Sequence, residues 1–232
     1  KPVLFWRESE TPWGCLSQWY ALSDGHFRWH GLVCFCAEQA MMAAKARFFG
    51  DGRAEQEILA ETHSASAVKS LGRAVRGFDA DLWKTVAFDI VVSVNLSKFS
   101  QNPQLLGVLL ATGRRPLAEA SPTDCVWGIG LAAGHGDALF PSRWRGTNLL
   151  GQALMTVREH LAALPATGRP PPPPAPPPPP GRDSALEGAS PPFLPAQLSK
   201  GRLPRRARSP PAAARVVLFR PTGLGHASRV RL

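Results

Sequence analysis

From residue 37 to residue 161 the apolar positions recur every three or four residues, the period of a helix with one face turned inward. Before residue 37 the pattern differs. Trp, Phe, Gly and turn-forming residues dominate, and residues 3–6 and 27–36 read as short extended pieces around a loop. The first helical run covers residues 37–49 and stops at Gly50-Asp51-Gly52. A second, more polar run covers 53–61, and Ser64 is a natural N-cap for a third over 65–73. Asp79 caps a longer helix whose inward face is Leu82, Trp83, Val86, Ile90, Val91 and Val94. Asn102-Pro103 marks the next start, with a cap followed by proline in the first turn, and Gly113 the next stop. Residues 116–121 suit a short strand, residues 124–131 a glycine-rich turn, and a last helix begins near Thr147 and runs past Leu161. The expected fold class is therefore mainly α, a compact multihelical domain with a few short β segments.

Composition divides the chain at residue 164. All seven Trp and all four Cys precede it, whereas 18 of the 24 Pro follow it. Residues 1–164 carry 16 Lys and Arg against 15 Asp and Glu; residues 165–232 carry 11 against 2. The net charge of +10 is thus a property of the second part, and it does not describe the surface of the folded one. Residues 1–164 are long enough to bury a self-sufficient core. Residues 165–232 contain Pro170–Pro174, Ala175 and Pro176–Pro180 followed by Arg/Pro/Ala-rich sequence, and are expected to be a disordered, proline-rich basic tail. That tail offers a polyproline II ligand for SH3-like domains or, through residues 202–208, a nucleic-acid contact or nuclear address; a plain linker and a solvated charge run are the alternatives. The spacing of Cys15, Cys34, Cys36 and Cys125 does not match a zinc motif, so buried free thiols and no metal are expected. No run of 18 apolar residues and no signal peptide is present in the sequence, which points to the cytoplasm, or the nucleus, and to no membrane partner.

Three places carry candidate chemistry. In the first helical run, Glu38, Met41, Met42, Lys45 and Phe49 share one face. A carboxylate and an ammonium on an apolar stripe are costly unless paired or used, so they mark either a structural pair or a site. In residues 124–130, glycines flank a tryptophan: Gly128 and Gly130 let backbone approach a ligand, Trp127 offers a stacking surface and Asp124 a second carboxylate. The alternative there is a core tryptophan beside a turn. In residues 144–151, a loop enters a helix, and free amides near Asn148 with Arg145 beside them would suit a phosphate; an ordinary helix cap is the alternative. Lys69, Gly72 and Arg73 are further candidates for an anion.

Taken in order, these segments resemble the NADAR (YbiA-like) family. The resemblance rests on Ser17-Gln18-Trp19-Tyr20, on residues 37–42 with Lys45-Ala46, and on Leu71-Gly72-Arg73. It continues through residues 98–103 and 110–113, Glu119-Ala120-Ser121, Asp124 with residues 127–130, and residues 144–151. It implies a compact helical fold and cleavage of an N-glycosidic bond, without a cofactor. The implied substrate is a phosphoribosylamino-pyrimidine of the riboflavin pathway or an ADP-ribosylated nucleobase. A non-catalytic module that binds ADP-ribose or a nucleotide is the alternative. The family's essential glutamate falls on Glu38, its aspartate and tryptophan on Asp124 and Trp127, and its asparagine before the last helix on Asn148. On this reading Glu38 and Asp124 are catalytic, with Lys45 keeping Glu38 ionised. Trp127, Gly128, Lys45, Arg73, Arg145 and Asn148 bind substrate. The chain departs from the pattern at Ala87 and Val94, where relatives often carry Arg and Gly.

Overall fold

A computed structural model describes residues 1–22 and 25–164. The expectations for residues 165–232, including the boundary after residue 164, the polyproline rod and the basic stretch, lie outside the described residues.

Strand β1 (Val3–Phe5) opens the chain, and β2 (Phe27–Trp29) and β3 (Leu32–Cys34) form an antiparallel hairpin. Helices α1 (Ala37–Phe48), α2 (Gly52–Ala60), α3 (Ala65–Arg73), α4 (Ala80–Ser100) and α5 (Pro103–Ala111) follow, then strand β4 (Leu117–Glu119) and helix α6 (Leu149–Ala163). The extended piece expected over residues 27–36 is two strands, because His30 and Gly31 both take positive φ and reverse the chain.

Capping explains where several helices begin. Asp51 accepts from the Ala54 amide at 3.3 Å, Ser64 from Ala67 at 3.1 Å, and Asp79 from Asp81 and Leu82 at 2.8 and 2.9 Å. Asn102 does not cap α5. Its amide reaches back to the Lys98 carbonyl at 2.6 Å, so Pro103 alone signals that start.

Helix α1 is the centre of the domain and packs against α2, α3 and α4. Every residue from 37 to 46 is buried, so no single inward face exists. That is why Glu38 and Lys45 are both buried, whichever way the helix is turned. Gly72 brings α3 against α1, since a Cβ there would overlap the Met42 side chain. The inward face of α4 differs from the periodic reading. Leu82 is 55% exposed, while Ala87, Asn95, Lys98 and Phe99 are buried beside Trp83, Val91 and Val94. The α4 helix is flanked by α1, α5, α6 and β2 along its length, so successive turns are buried on different sides. Ala87 and Val94, the two departures from the family pattern, are core residues.

Strand β4 pairs in parallel with β1, placing Glu119 opposite Phe5, and α6 packs on β4. Asn148 stitches this junction. Its Nδ2 donates to the Leu117 carbonyl at 2.8 Å and its Oδ1 accepts from the Glu119 amide at 3.1 Å, so the side chain acts as an extra piece of strand. A Cβ on Gly151 would run into the Leu117 carbonyl and the Asn148 amide. Gly151→Ala is expected to cost about 1–3 kcal/mol of stability, read as a lower denaturation midpoint with an unchanged slope.

Candidate active site

Two adjoining cavities form one cleft between the 17–19 segment, α1, α3, β4 and the 124–127 turn. The inner lobe holds about 240 Å³ and the outer about 430 Å³; Ser17, Trp19, Lys69, Arg73, Glu119 and Asp124 border both.

Glu38 borders the inner lobe from the first turn of α1, 5% exposed, and its amide donates to the Gln18 carbonyl at 2.9 Å. Burial pushes its carboxyl above the ordinary range. Lys69 opposes that most strongly, Asp124 adds to it, and Arg73 and Lys45 oppose it more weakly. Lys45 favours the ionised form of Glu38, as expected, but Lys69 and Arg73 on α3 contribute more. Lys45 spends its ammonium elsewhere. It donates to the Gly72 carbonyl at 2.8 Å and lies 3.8 Å above the Phe78 ring, and burial lowers its pKa despite the nearby Glu38. Lys45 still lines the inner lobe, together with Met41, Met42, Phe78, Trp83 and Trp127.

Asp124 enters the cleft from a turn that it holds itself. Its Oδ1 accepts from the amides of Val126 and Trp127 at 2.9 and 2.7 Å, which aims the half-buried indole of Trp127 into the inner lobe. Gly128 is buried behind this turn. A Cβ there would press on the carbonyls of Asp124 and Glu119, so the glycine lets the turn sit against the end of β4 and does not itself border either lobe.

Arg145 and Asn148 are also placed differently from the expectation. Arg145 is exposed and borders neither lobe. The amides offered to a phosphate at the start of α6 are already used. Those of Arg145 and Gly146 donate to the Ile129 carbonyl, and those of Thr147, Asn148, Leu149 and Leu150 to the carbonyls of Cys125, Gly128, Val126 and Trp127. Asn148, at a left-handed φ of 54°, is 2% exposed and committed to β4. The loop is a clasp holding the tryptophan turn, and the amides of residues 145–150 are spent on it.

Four residues outside the candidate set, or only weakly within it, are brought into the cleft. Lys69 stands between the lobes with its ammonium 5.6 Å above the Trp19 ring. Trp19 supplies an aromatic wall common to both. Gln18 borders the inner lobe at 8% exposure; its Oε1 accepts from Asn95 at 2.9 Å, while its Nε2 has no partner among the described residues. Glu119 ends β4, with Oε2 buried and without a partner among the described residues. Burial raises its pKa to about 7, Asp124 adds to the rise, Lys69 opposes it and Glu38 adds again. The sequence carries two signals for Glu119: its place in the Glu119-Ala120-Ser121 stretch that supports the family resemblance, and a carboxylate placed between Ala118 and Ala120 at the end of a short strand.

Behind the wall, Lys98 is fully buried and donates to the carbonyls of Cys15 and Ser17 at 2.8 and 2.9 Å, fixing the segment that carries Gln18 and Trp19. Burial lowers its pKa to about 8. Cys15, Cys34 and Cys36 are buried free thiols, and burial raises the pKa of each; Cys125 is exposed, contrary to the expectation for four buried thiols. Among the described residues there is no His, Cys, Asp and Glu cluster suited to a metal, and no helix is long and apolar enough to cross a membrane.

Three carboxylates at an aromatic-walled cavity, rimmed by cations from α3, define a small helical domain with a cleft of small-molecule size. The chain belongs to the NADAR domain family, whose pattern matches residues 4–162. It is 47% identical over 123 residues to an N-glycosidase of Acanthamoeba polyphaga mimivirus, an alignment covering 53% of this chain and 72% of that protein. It is 33% identical over 161 residues to a riboflavin biosynthesis protein of Vibrio vulnificus, covering 69% of this chain and 39% of that protein. The N-glycosidase YbiA of Escherichia coli is 36% identical over 80 residues, 34% of this chain and 43% of that protein. The solution structure of E. coli YbiA superimposes with a TM-score of 0.56 at 26% identity, covering 69% of this chain and 84% of that one.

Proposed function

We propose that this domain hydrolyses the C–N glycosidic bond of a phosphorylated ribosyl compound, either a phosphoribosylamino-pyrimidine or an ADP-ribosylated nucleobase. The observation that carries the reading is Glu38, a buried carboxylate lining an aromatic-walled cavity, with Lys69, Arg73 and Lys45 acting on it but no ion pair to it among the described residues. Relatives named as N-glycosidases in a virus and in E. coli support it.

Breaking a bond between a ribose carbon and nitrogen passes through an oxocarbenium-like sugar. A carboxylate held close to that carbon stabilises the developing positive charge and takes a proton from the attacking water. Glu38 has that place. Its burial keeps bulk water from screening the interaction, which makes the charge more effective in the transition state than it would be in solvent. Trp127 and Trp83 offer flat surfaces to a base or sugar ring. Lys69 and Arg73, at the junction with the larger outer lobe, meet the phosphate. Asp124 orients the tryptophan turn and presents its remaining carboxylate oxygen for hydrogen bonds with sugar hydroxyls or the base. No cofactor has a part in these steps.

The test is turnover of a phosphoribosylamino-pyrimidine and of an ADP-ribosylated guanine by the full chain, followed as free base released. Product from either substrate supports the reading and selects between the two; tight binding of both with no product would replace it with a binding module. Arg73 is exposed, so Arg73→Gln is expected to leave the fold intact and raise KM by roughly tenfold through loss of a charge-assisted contact. Steady-state kinetics at fixed ionic strength would check it, and an unchanged KM would remove Arg73 from the phosphate site.

A further inference from the structure

We propose that Glu119 is the proton donor to the departing nitrogen, paired across the cleft with Glu38 as the group that receives the proton of water. The assignment rests on the glycosidase reading above and adds a residue to it.

The inference starts from unused hydrogen-bonding capacity. Glu119 borders both lobes, and its Oε2 is buried with no partner among the described residues. Gln18 shows the same condition independently: it is 8% exposed and its Nε2 is unpartnered where it borders the inner lobe. Buried polar atoms are nearly always satisfied, so two bare ones bordering the same cavity point to a ligand that completes them. An amide donor from the 17–19 segment and a carboxyl from β4 suit a leaving group that carries an acceptor, such as a ring carbonyl, together with the nitrogen that must gain a proton.

Asp124 is less suited to that transfer. Two backbone amides already donate to its Oδ1, and that oxygen is occupied in holding the turn of Trp127. The two glutamates also differ in the charges around them. Lys69, Arg73 and Lys45 all favour a charged Glu38. Only Lys69 does so for Glu119, which faces the carboxylates of Asp124 and Glu38 as well. Arg7 and Glu8 complete the titratable lining of the outer lobe and bring one charge of each sign. Two nearby buried carboxyls resist ionising together, so the pair shares one proton; with Glu38 as the group that receives the proton of water, the proton to be donated falls to Glu119.

The step balances without another reactant. The bond between the ribose carbon and nitrogen breaks and its electron pair goes to nitrogen, which takes the proton of Glu119. The oxygen of water bonds to the ribose carbon and its proton passes to the Glu38 carboxylate. The products are a reducing sugar phosphate and a free amine or base. Glu38 then loses its proton to solvent and Glu119 regains one.

The experiment measures kcat/KM between pH 4 and 9 for the full chain, for Glu119→Gln and for Glu119→Asp, on a phosphoribosylamino-pyrimidine and an ADP-ribosylated guanine. The wild type is expected to lose activity as pH rises through about 7, where the donor ionises. Glu119→Gln is expected to lose at least about 10²-fold and to have no alkaline limb, with Glu119→Asp recovering part of the rate. A Glu119→Gln protein that turns over within a few-fold of wild type, or that keeps the limb, overturns the proposal. If Glu119→Gln does not fold, the wild-type profile decides, and a profile flat from pH 6 to 9 overturns it. A wild type inactive on both substrates overturns the glycosidase reading itself, an outcome distinct from the loss of Glu119's role alone.

Discussion

Glu38→Gln is expected to fold like the wild type and to lose on the order of 10³-fold or more in kcat. The substitution keeps the volume and one carbonyl-like acceptor but removes the charge. Ground-state binding through Lys69, Arg73 and Trp127 is untouched, so KM is expected to change little. The loss falls on the step in which positive charge develops on the sugar, and an interaction made mainly in the transition state lowers kcat and kcat/KM together. The protein is also expected to be no less stable, because the amide has no charge to desolvate in a site where burial already pushes the carboxyl upward. Single-turnover kinetics and thermal unfolding on the same preparations check both halves. A folded Glu38→Gln protein with near-normal turnover would remove Glu38 from the chemistry.

The second large effect is on stability and comes from Glu119. Its carboxyl titrates near 7 in the fold against an ordinary value of 4.5. Between those values the folded chain holds a proton that the unfolded chain has released. This contribution to stability is therefore fully present below about pH 4.5 and declines as pH rises to about 7; above that, both states are ionised and the fold bears the cost of a buried charge. The difference between 4.5 and 7 corresponds to roughly 3 kcal/mol at 1.36 kcal/mol per pH unit. Glu119→Gln is expected to be more stable than wild type at pH 8 by up to that amount, and about equal to it at pH 4.5. Denaturant unfolding at the two pH values reads it directly. Equal effects of the substitution at both would show that Glu119 is not held in its neutral form. Together with the activity loss expected for the same variant, this describes a site that gives up stability to keep a proton donor available.

Much of the fold is legible in local chemistry. The caps at Ser64 and Asp79, the proline that starts α5 and the glycine that ends it are decided within a few residues, and the sequence places those helices to within a residue or two. The same holds for the face shared by Glu38 and Lys45, and for Asp124 beside Trp127, because helical spacing and a short turn put those side chains together without help from the rest of the chain. The inward face of α4 was only partly legible. Helical period finds one apolar stripe, but α4 is buried on different sides along its length, so Leu82 is exposed and Lys98 is buried.

What the sequence could not decide was how distant segments use one another's polar groups. Local features make the start of α6 look like an anion site, since they show free amides and an arginine. Only the packing of that loop on residues 125–129 reveals that the amides are taken and that Asn148 serves as part of β4. The same applies to the carboxylates. Residues 38, 119 and 124 lie far apart in the chain or on different elements, and their meeting depends on β4 pairing with β1 while α1 fills the centre. Sequence alone determined that this is a helical domain with charged groups in costly positions. Tertiary structure decided which of them share a cavity, because desolvation and mutual repulsion act through space and carry no periodicity along the chain.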